Sequence, residues 1–164
     1  MRGTGASSAC MTRTQNLHND NKNIYPDIIV IYIGINDFNA KATLGSFNGV
    51  NSIYDASSKT YIGDYNVFAD AYAMMVHKIK TAYPDADIYI CTLEQYNNTD
   101  IPLWNNVITK IARAFDCNIV DFYNDTAITT SNKATYTLDN LHPNKSGMDE
   151  MYKCLKTSLE KNYY

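Results

Sequence analysis

Pro26-Asp27-Ile28-Ile29-Val30-Ile31-Tyr32-Ile33-Gly34-Ile35-Asn36-Asp37 is the stretch on which the reading of the chain turns. Its residues from Ile28 to Ile33 are all apolar or aromatic, with no alternation. An uninterrupted, β-branched run of this kind reads as a parallel strand buried on both faces. The run stops at Gly34, and Asn36 and Asp37 follow. In open α/β sheets, ligands sit just beyond the carboxyl ends of such strands. Asn36 and Asp37 therefore occupy a position where chemistry is usually done.

Outward from this run, helical and strand patterns alternate. Met11, Thr14 and Leu17 have helical spacing within 10–19, and the strand itself covers 27–33. Residues 39–64 are rich in Gly, Ser, Asn and Thr and read as a long functional or mobile connection. A helix follows from Asn66, with Phe68, Ala71, Tyr72, Met75, Val76 and Ile79 on its apolar stripe, and ends at Pro84. Residues 87–92 form the next strand, 93–100 a polar loop, and Pro102 opens a helix that runs to about 115. A short strand at 118–122 and a polar stretch at 123–139 precede a last helix from Asn144 or Lys145. Met148, Met151, Tyr152, Leu155 and Leu159 are expected on the buried face of that helix. The alternation gives a parallel sheet with helices on both faces.

The bulk properties fit one domain. The chain has 164 residues, 45% of them apolar and 19% charged, with a formal net charge of -3. Acids and bases are mixed along it, which argues against nucleic acid or an anionic membrane as partner. No apolar run approaches the ~20 residues needed to span a bilayer. Cys10, Cys91, Cys117 and Cys154 are scattered without CxxC spacing and read as small buried hydrophobes rather than as zinc ligands or disulfides. No cofactor or metal site is expected. The opening residues, Met1-Arg2-Gly3-Thr4-Gly5-Ala6-Ser7-Ser8, have the character of an interior loop and lack a signal-peptide pattern.

Asp139-Asn140-Leu141-His142-Pro143 lies just before the last helix. Across such a turn a carboxylate can accept a bond from the histidine Nδ1–H, leaving Nε2 as a general base. The same residue types also make ordinary turns. Asn36 is equally open between a turn former and an amide that donates to a developing oxyanion.

Together, Gly34-Ile35-Asn36-Asp37 after a buried strand and Asp139-x-x-His142-Pro143 before the final helix resemble two blocks of the SGNH (GDSL-type) hydrolase family. The blocks of that family are a Gly-Asp-Ser nucleophile motif, a glycine, Gly-x-Asn-Asp and Asp-x-x-His. The resemblance covers nearly the whole chain. It implies a three-layer α/β/α, flavodoxin-like domain over residues 1–164 that hydrolyses esters of small molecules or carbohydrates, with carbohydrate deacetylation and lipid or acyl ester cleavage both open. It implies Asn36 and the Gly5 N–H as the oxyanion hole, with Gly3 as the fallback glycine, and Asp139 and His142 as acid and base. Asp37 is expected to be structural.

The nucleophile block is the departure, because no Gly-Asp-Ser occurs in the chain. The resemblance therefore implies an N-terminally truncated domain, lacking the strand that carries the serine and inactive alone. Ser7, Ser8, Ser146 and Cys10 are weak substitutes. The strand over 28–33 would be left with an open edge, so residues 1–164 are expected to be marginally stable or to self-associate through it. The rival reading is a non-catalytic binding module or pseudoenzyme of the same fold.

Overall fold

The computed structural model describes residues 25–95 and 99–163. Its elements are β1 (Ile28–Ile31), α1 (Ile35–Asn39), a 3-10 turn (Val50–Ser52), β2 (Tyr54–Asp55), β3 (Thr60–Tyr61), α2 (Phe68–Ala82), β4 (Asp87–Cys91), α3 (Ile101–Ala114), β5 (Asn118–Val120), α4 (Phe122–Asp125), α5 (Lys133–Tyr136) and α6 (Lys145–Tyr163). The main sheet is parallel with the order β1-β4-β5, Ile29 facing Ile88 and Ile90 facing Ile119 across the ladders. This is the expected α/β/α architecture. The expected helix at 10–19 lies outside the described residues.

Alternation along β4 makes the three layers. Ile88 and Ile90 turn to a core shared with α2 and α3, where Ile31, Val76, Ile108 and Ile111 are also buried. Tyr89 and Cys91 turn the other way and join Val120, Phe122 and Cys154 of α6. Both sides of β4 are thus dry, as a central parallel strand requires.

The reading of β1 needs correction. It has four residues, and it is not buried on both faces: Ile28 is 39% and Val30 43% exposed. Ile29 and Ile31 face the α2–α3 core, whereas Ile28 and Val30 face the α6 side. Among the described residues α6 shares its cluster with β4 and β5, and Tyr32 is the residue of the β1 segment that packs against that cluster. The same geometry corrects α6, whose Met148 and Tyr152 are 59% and 62% exposed; Met151, Cys154, Leu155 and Leu159 make its packing face.

Residues 39–64 are more ordered than their composition suggests. Phe47 and Ile53 are fully buried in the main core. The small β2–β3 sheet is pinned to α2 by a 2.9 Å bond between Tyr61 Oη and His77 Nδ1, and Tyr54 stacks on His77 at 4.5 Å. The carbonyls of Thr43 and Leu44 accept the Phe68 and Ala69 N–H groups at 2.8 and 3.0 Å, satisfying the start of α2. The polar stretch after β5 likewise contains the two short helices α4 and α5. Among the described residues no helix is long and apolar enough to cross a membrane.

Burial assigns different costs to neighbouring strand positions. Ile90→Ala is expected to destabilise by about 2–5 kcal/mol. Val30→Thr, at an exposed site, should stay within about 0.5 kcal/mol of the parent. Urea unfolding of both variants checks the assignment; equal losses would contradict the exposure of β1.

Candidate active site

The carboxyl ends of β1 and β4 lie side by side. Gly34 ends the β1 segment with φ 126°, a value that side chains rarely adopt, and a Cβ there would stand 3.2 Å from the Phe68 ring. The chain then turns into α1, where Phe38 packs edge-on against Trp104 at 5.5 Å. Asn36 is exposed in the first turn of α1, and its side chain has no hydrogen-bond partner among the described residues. Next to it, Leu93 follows β4 and is held through both backbone groups by buried Asn105: its N–H donates to Asn105 Oδ1 at 2.8 Å, and Asn105 Nδ2 donates to its carbonyl at 2.9 Å.

Glu94 comes next and is only 4% exposed. The Tyr32 hydroxyl donates to its Oε2, and the Tyr32 ring meets Phe122 edge-on at 5.4 Å. Tyr32 thereby links the tips of all three strands. Thr92 adds a second tie, donating to Asp121 Oδ1 at 3.0 Å and accepting the Tyr123 N–H at 3.0 Å.

The loop between α5 and α6 builds the second half of the site. Leu138 N–H donates to the His142 carbonyl at 2.8 Å, and Asn144 N–H to the Tyr136 carbonyl at 2.9 Å, so the segment folds back on itself. Asn140 at the tip takes φ 64°, a left-handed conformation that asparagine tolerates. Asp139 Oδ1 accepts the N–H groups of Leu141 and His142 at 3.1 and 2.7 Å. Its Oδ2 meets His142 Nδ1 at 2.7 Å. These bonds hold the Asp139 carboxyl down to about 2, the His142 backbone N–H contributing most and the His142 side chain next. An ionised carboxylate can only accept, so Nδ1 carries the proton and Nε2 of the neutral ring keeps its lone pair.

Asn144 closes the unit. Its Oδ1 accepts the Gly147 N–H at 3.1 Å, capping α6, and its Nδ2 donates to the Thr135 carbonyl at 2.9 Å. Gly147 lets the helix approach: a Cβ there would lie 2.2 Å from the Tyr136 carbonyl oxygen.

A small recess joins the two halves. Glu94 and Gln95 form one wall, Asn140, Leu141 and Pro143 another, and Ile128, Lys133 and Thr137 complete it. The Asp139–His142 loop therefore sits at the carboxyl end of the sheet, the end from which Asn36 also projects. Of the residues singled out in the sequence, Asp139 and His142 are in direct contact. Gly5, Gly3, Ser7, Ser8 and Cys10 lie outside the described residues. Ser146 is exposed in the first turn of α6. Cys91, Cys117 and Cys154 are free thiols, with burial pushing them up to about 12, 11 and 11. Tyr32 and Lys133 were not legible as residues of this recess, whereas Glu94 lies in the polar loop expected at 93–100.

The family model for GDSL-like lipases and acylhydrolases matches residues 3–149. No curated protein matches. Among solved structures, a Lactobacillus plantarum protein superposes with a TM-score of 0.73 at 16% identity, covering 92% of this chain and 74% of its own. A possible lipase from Chitinophaga pinensis gives 0.69 at 14% identity, with 97% and 80% covered. A carbohydrate esterase family 3 structure from Talaromyces cellulolyticus gives 0.66 at 16% identity, with 97% and 68% covered. At these identities the structural likeness is one of fold.

Two measurements test the loop. The Asp139 carboxyl should titrate near about 2 by carbon-detected NMR, below its ordinary 3.8. Its folded value is depressed, so its contribution to stability is present above the ordinary carboxylate range and is lost as pH falls through about 2. His142→Ala should raise the midpoint only partway, because the two backbone donors stay. Gly147→Ala should cost about 1–3 kcal/mol through the clash with Tyr136; an unchanged melting temperature would contradict that close approach.

Proposed function

Because the chain belongs to the GDSL-like lipase/acylhydrolase family, we propose that it carries the base, its orienting carboxylate and the oxyanion donors of a serine ester hydrolase. The observation that carries this reading is the 2.7 Å bond between His142 Nδ1 and Asp139 Oδ2. It leaves Nε2 free to take a proton, in a loop at the carboxyl end of the sheet.

The mechanism is two-step acyl transfer. A serine hydroxyl attacks the ester carbonyl while His142 Nε2 takes its proton. Asp139 holds the ring and stabilises the imidazolium that forms. The Asn36 amide and the Gly5 N–H donate to the tetrahedral oxyanion. His142 returns the proton to the leaving alcohol, and an acyl-serine remains. Water, deprotonated by His142, then attacks the acyl-serine, and His142 passes that proton to the serine oxygen as the acid leaves. Each proton transfer is met by His142, so the scheme calls on no metal or cofactor. The chain contains no Gly-Asp-Ser, so in this reading the serine comes from outside these residues, and residues 1–164 are expected to be inactive alone. Small-molecule and carbohydrate esters are the proposed substrates; the fold likeness to a carbohydrate esterase supports the second.

The same missing motif favours a second reading, a non-catalytic module of this fold. Residues 1–164 should show no fluorophosphonate labelling and no p-nitrophenyl acetate turnover under either reading. Protein that includes a Gly-Asp-Ser block separates them. Under the enzyme reading it hydrolyses the ester, His142→Ala lowers kcat by about 10⁴–10⁶-fold, and Asn36→Ala by about 10²–10³-fold. No turnover in that protein would leave the binding module. Turnover by residues 1–164 that needs His142 but survives Ser7→Ala and Ser8→Ala would refute the placing of the nucleophile.

The open side of β1 supports one more element of the proposal. No strand among the described residues pairs with that edge, and Ile28 and Val30 beside it are exposed. Self-association through this edge is expected. Sedimentation of residues 1–164 should show a concentration-dependent dimer that Val30→Lys weakens.

A further inference from the structure

We propose that Asn48 is a site of spontaneous covalent modification: it loses its side-chain amide through a cyclic imide formed with the Gly49 nitrogen, which leaves aspartate or isoaspartate in the 39–64 segment. This inference is independent of the hydrolase reading.

Asparagine amides are among the thermolabile groups of proteins. Their loss by this route needs a following backbone nitrogen that can reach the side-chain carbonyl carbon, shed its proton and find room for the ring. Asn48-Gly49 is the one Asn-Gly pair in the chain. Glycine has no Cβ to hinder the approach, and a Cβ placed at Gly49 would meet nothing within 4 Å, so the space around it is open. The Gly49 carbonyl accepts from the Ser52 N–H at 3.1 Å and from the Ser52 hydroxyl at 2.8 Å. Its N–H donates to no group among the described residues. Asn48 is exposed, and its Nδ2 makes one 3.5 Å contact, with Ser46 Oγ, too long to fix the side chain.

Other exposed asparagines lack this combination. Asn140 is followed by the Leu141 N–H, which donates to Asp139 Oδ1 at 3.1 Å. Asn124 gives its Nδ2 to Asp121 Oδ2 at 2.7 Å, and the Asp125 N–H behind it donates to the Asp121 carbonyl at 2.8 Å. Asn66 gives its Nδ2 to Asp64 Oδ1, and the Val67 N–H donates to the Asp64 carbonyl, both at 3.1 Å.

The chemistry consumes one water and releases one ammonia. The Gly49 nitrogen gives its proton to solvent and bonds to Asn48 Cγ. The Cγ–Nδ2 bond breaks, and ammonia leaves with a proton from solvent. Water then opens the imide. Attack at the side-chain carbonyl gives aspartate, and attack at the main-chain carbonyl gives isoaspartate, whose main chain runs through the former side chain. Phe47, buried and packed 6.0 Å from the Phe115 ring, lies on one side of this bond, and the Val50–Ser52 turn and fully buried Ile53 on the other. Isoaspartate inserts an extra methylene between these anchors.

The test ages residues 1–164 in mildly alkaline buffer and follows Asn48 by peptide mapping with mass spectrometry and by labelling with an isoaspartyl methyltransferase. Conversion at Asn48 is expected to outpace Asn140 by about tenfold, because a backbone hydrogen bond must break first at Asn140. It should quicken as pH rises, since the attacking nitrogen must lose its proton. Asn48→Gln, which would have to close a larger ring, should abolish the label at this position and keep the parent melting temperature. An Asn48 that stays intact in the folded protein while a synthetic peptide of residues 45–52 converts, or conversion no faster than at Asn140, would overturn the proposal. The isoaspartyl form, isolated by ion exchange, should melt below Asn48→Asp, which carries the same charge on an ordinary main chain; equal melting would refute the effect on the Phe47 anchor.

Discussion

The two-sided burial of β4 is the constraint on which the rest depends. A strand buried on both faces must find a separate apolar layer for each set of alternating side chains. Ile88 and Ile90 find α2 and α3, and Tyr89 and Cys91 find α6. Because the layers are fixed by the same strand, its carboxyl end is fixed too. Thr92, Leu93 and Glu94 leave the sheet tied in turn to Asp121, Asn105 and Tyr32. The polar groups at that end are held by a dry scaffold, the arrangement that positions side chains to fractions of an ångström.

The site is assembled from two kinds of local structure. One is a strand tip, where Gly34 permits a turn that brings Asn36 out of the sheet. The other is a self-contained loop, where Asp139 takes three bonds from residues two and three positions away. The loop is stabilised largely by itself and by the Asn144 cap on α6. Strand tip and loop meet through the Glu94 recess. An error in either would be felt there first.

Pattern reading worked where the physics is local. The β4, α2 and α3 segments were legible because their apolar periods match one face or two. The Asp139–His142 contact was legible because a separation of three residues in a turn suffices to make it. Reading failed where neighbours decide. The run in β1 has the composition of a buried strand, but Ile28 and Val30 lie on a face that α6 does not reach. Phe47 and Ile53 sit in a polar, glycine-rich segment, yet both are core residues, because the hairpin they flank packs on α2. Met148 and Tyr152 fit a helical stripe that α6 buries only in part.

Residue order alone carries the α/β class, the succession of the main elements, the stretches around Asn36 and Asp139–His142 that resemble family blocks, and the absence of a Gly-Asp-Ser motif. These depend on residue type and spacing along the chain, which the sequence states directly. Folding is needed to show which face of β1 is dry, how 39–64 packs, and that Tyr32, Glu94 and Lys133 gather near the histidine loop. Glu94 stands 62 positions after Tyr32, and Lys133 another 39 after Glu94, and nothing local records their meeting. It follows from the parallel register of β1 against β4 and from the return of the chain before α6, contacts that only the folded sheet creates.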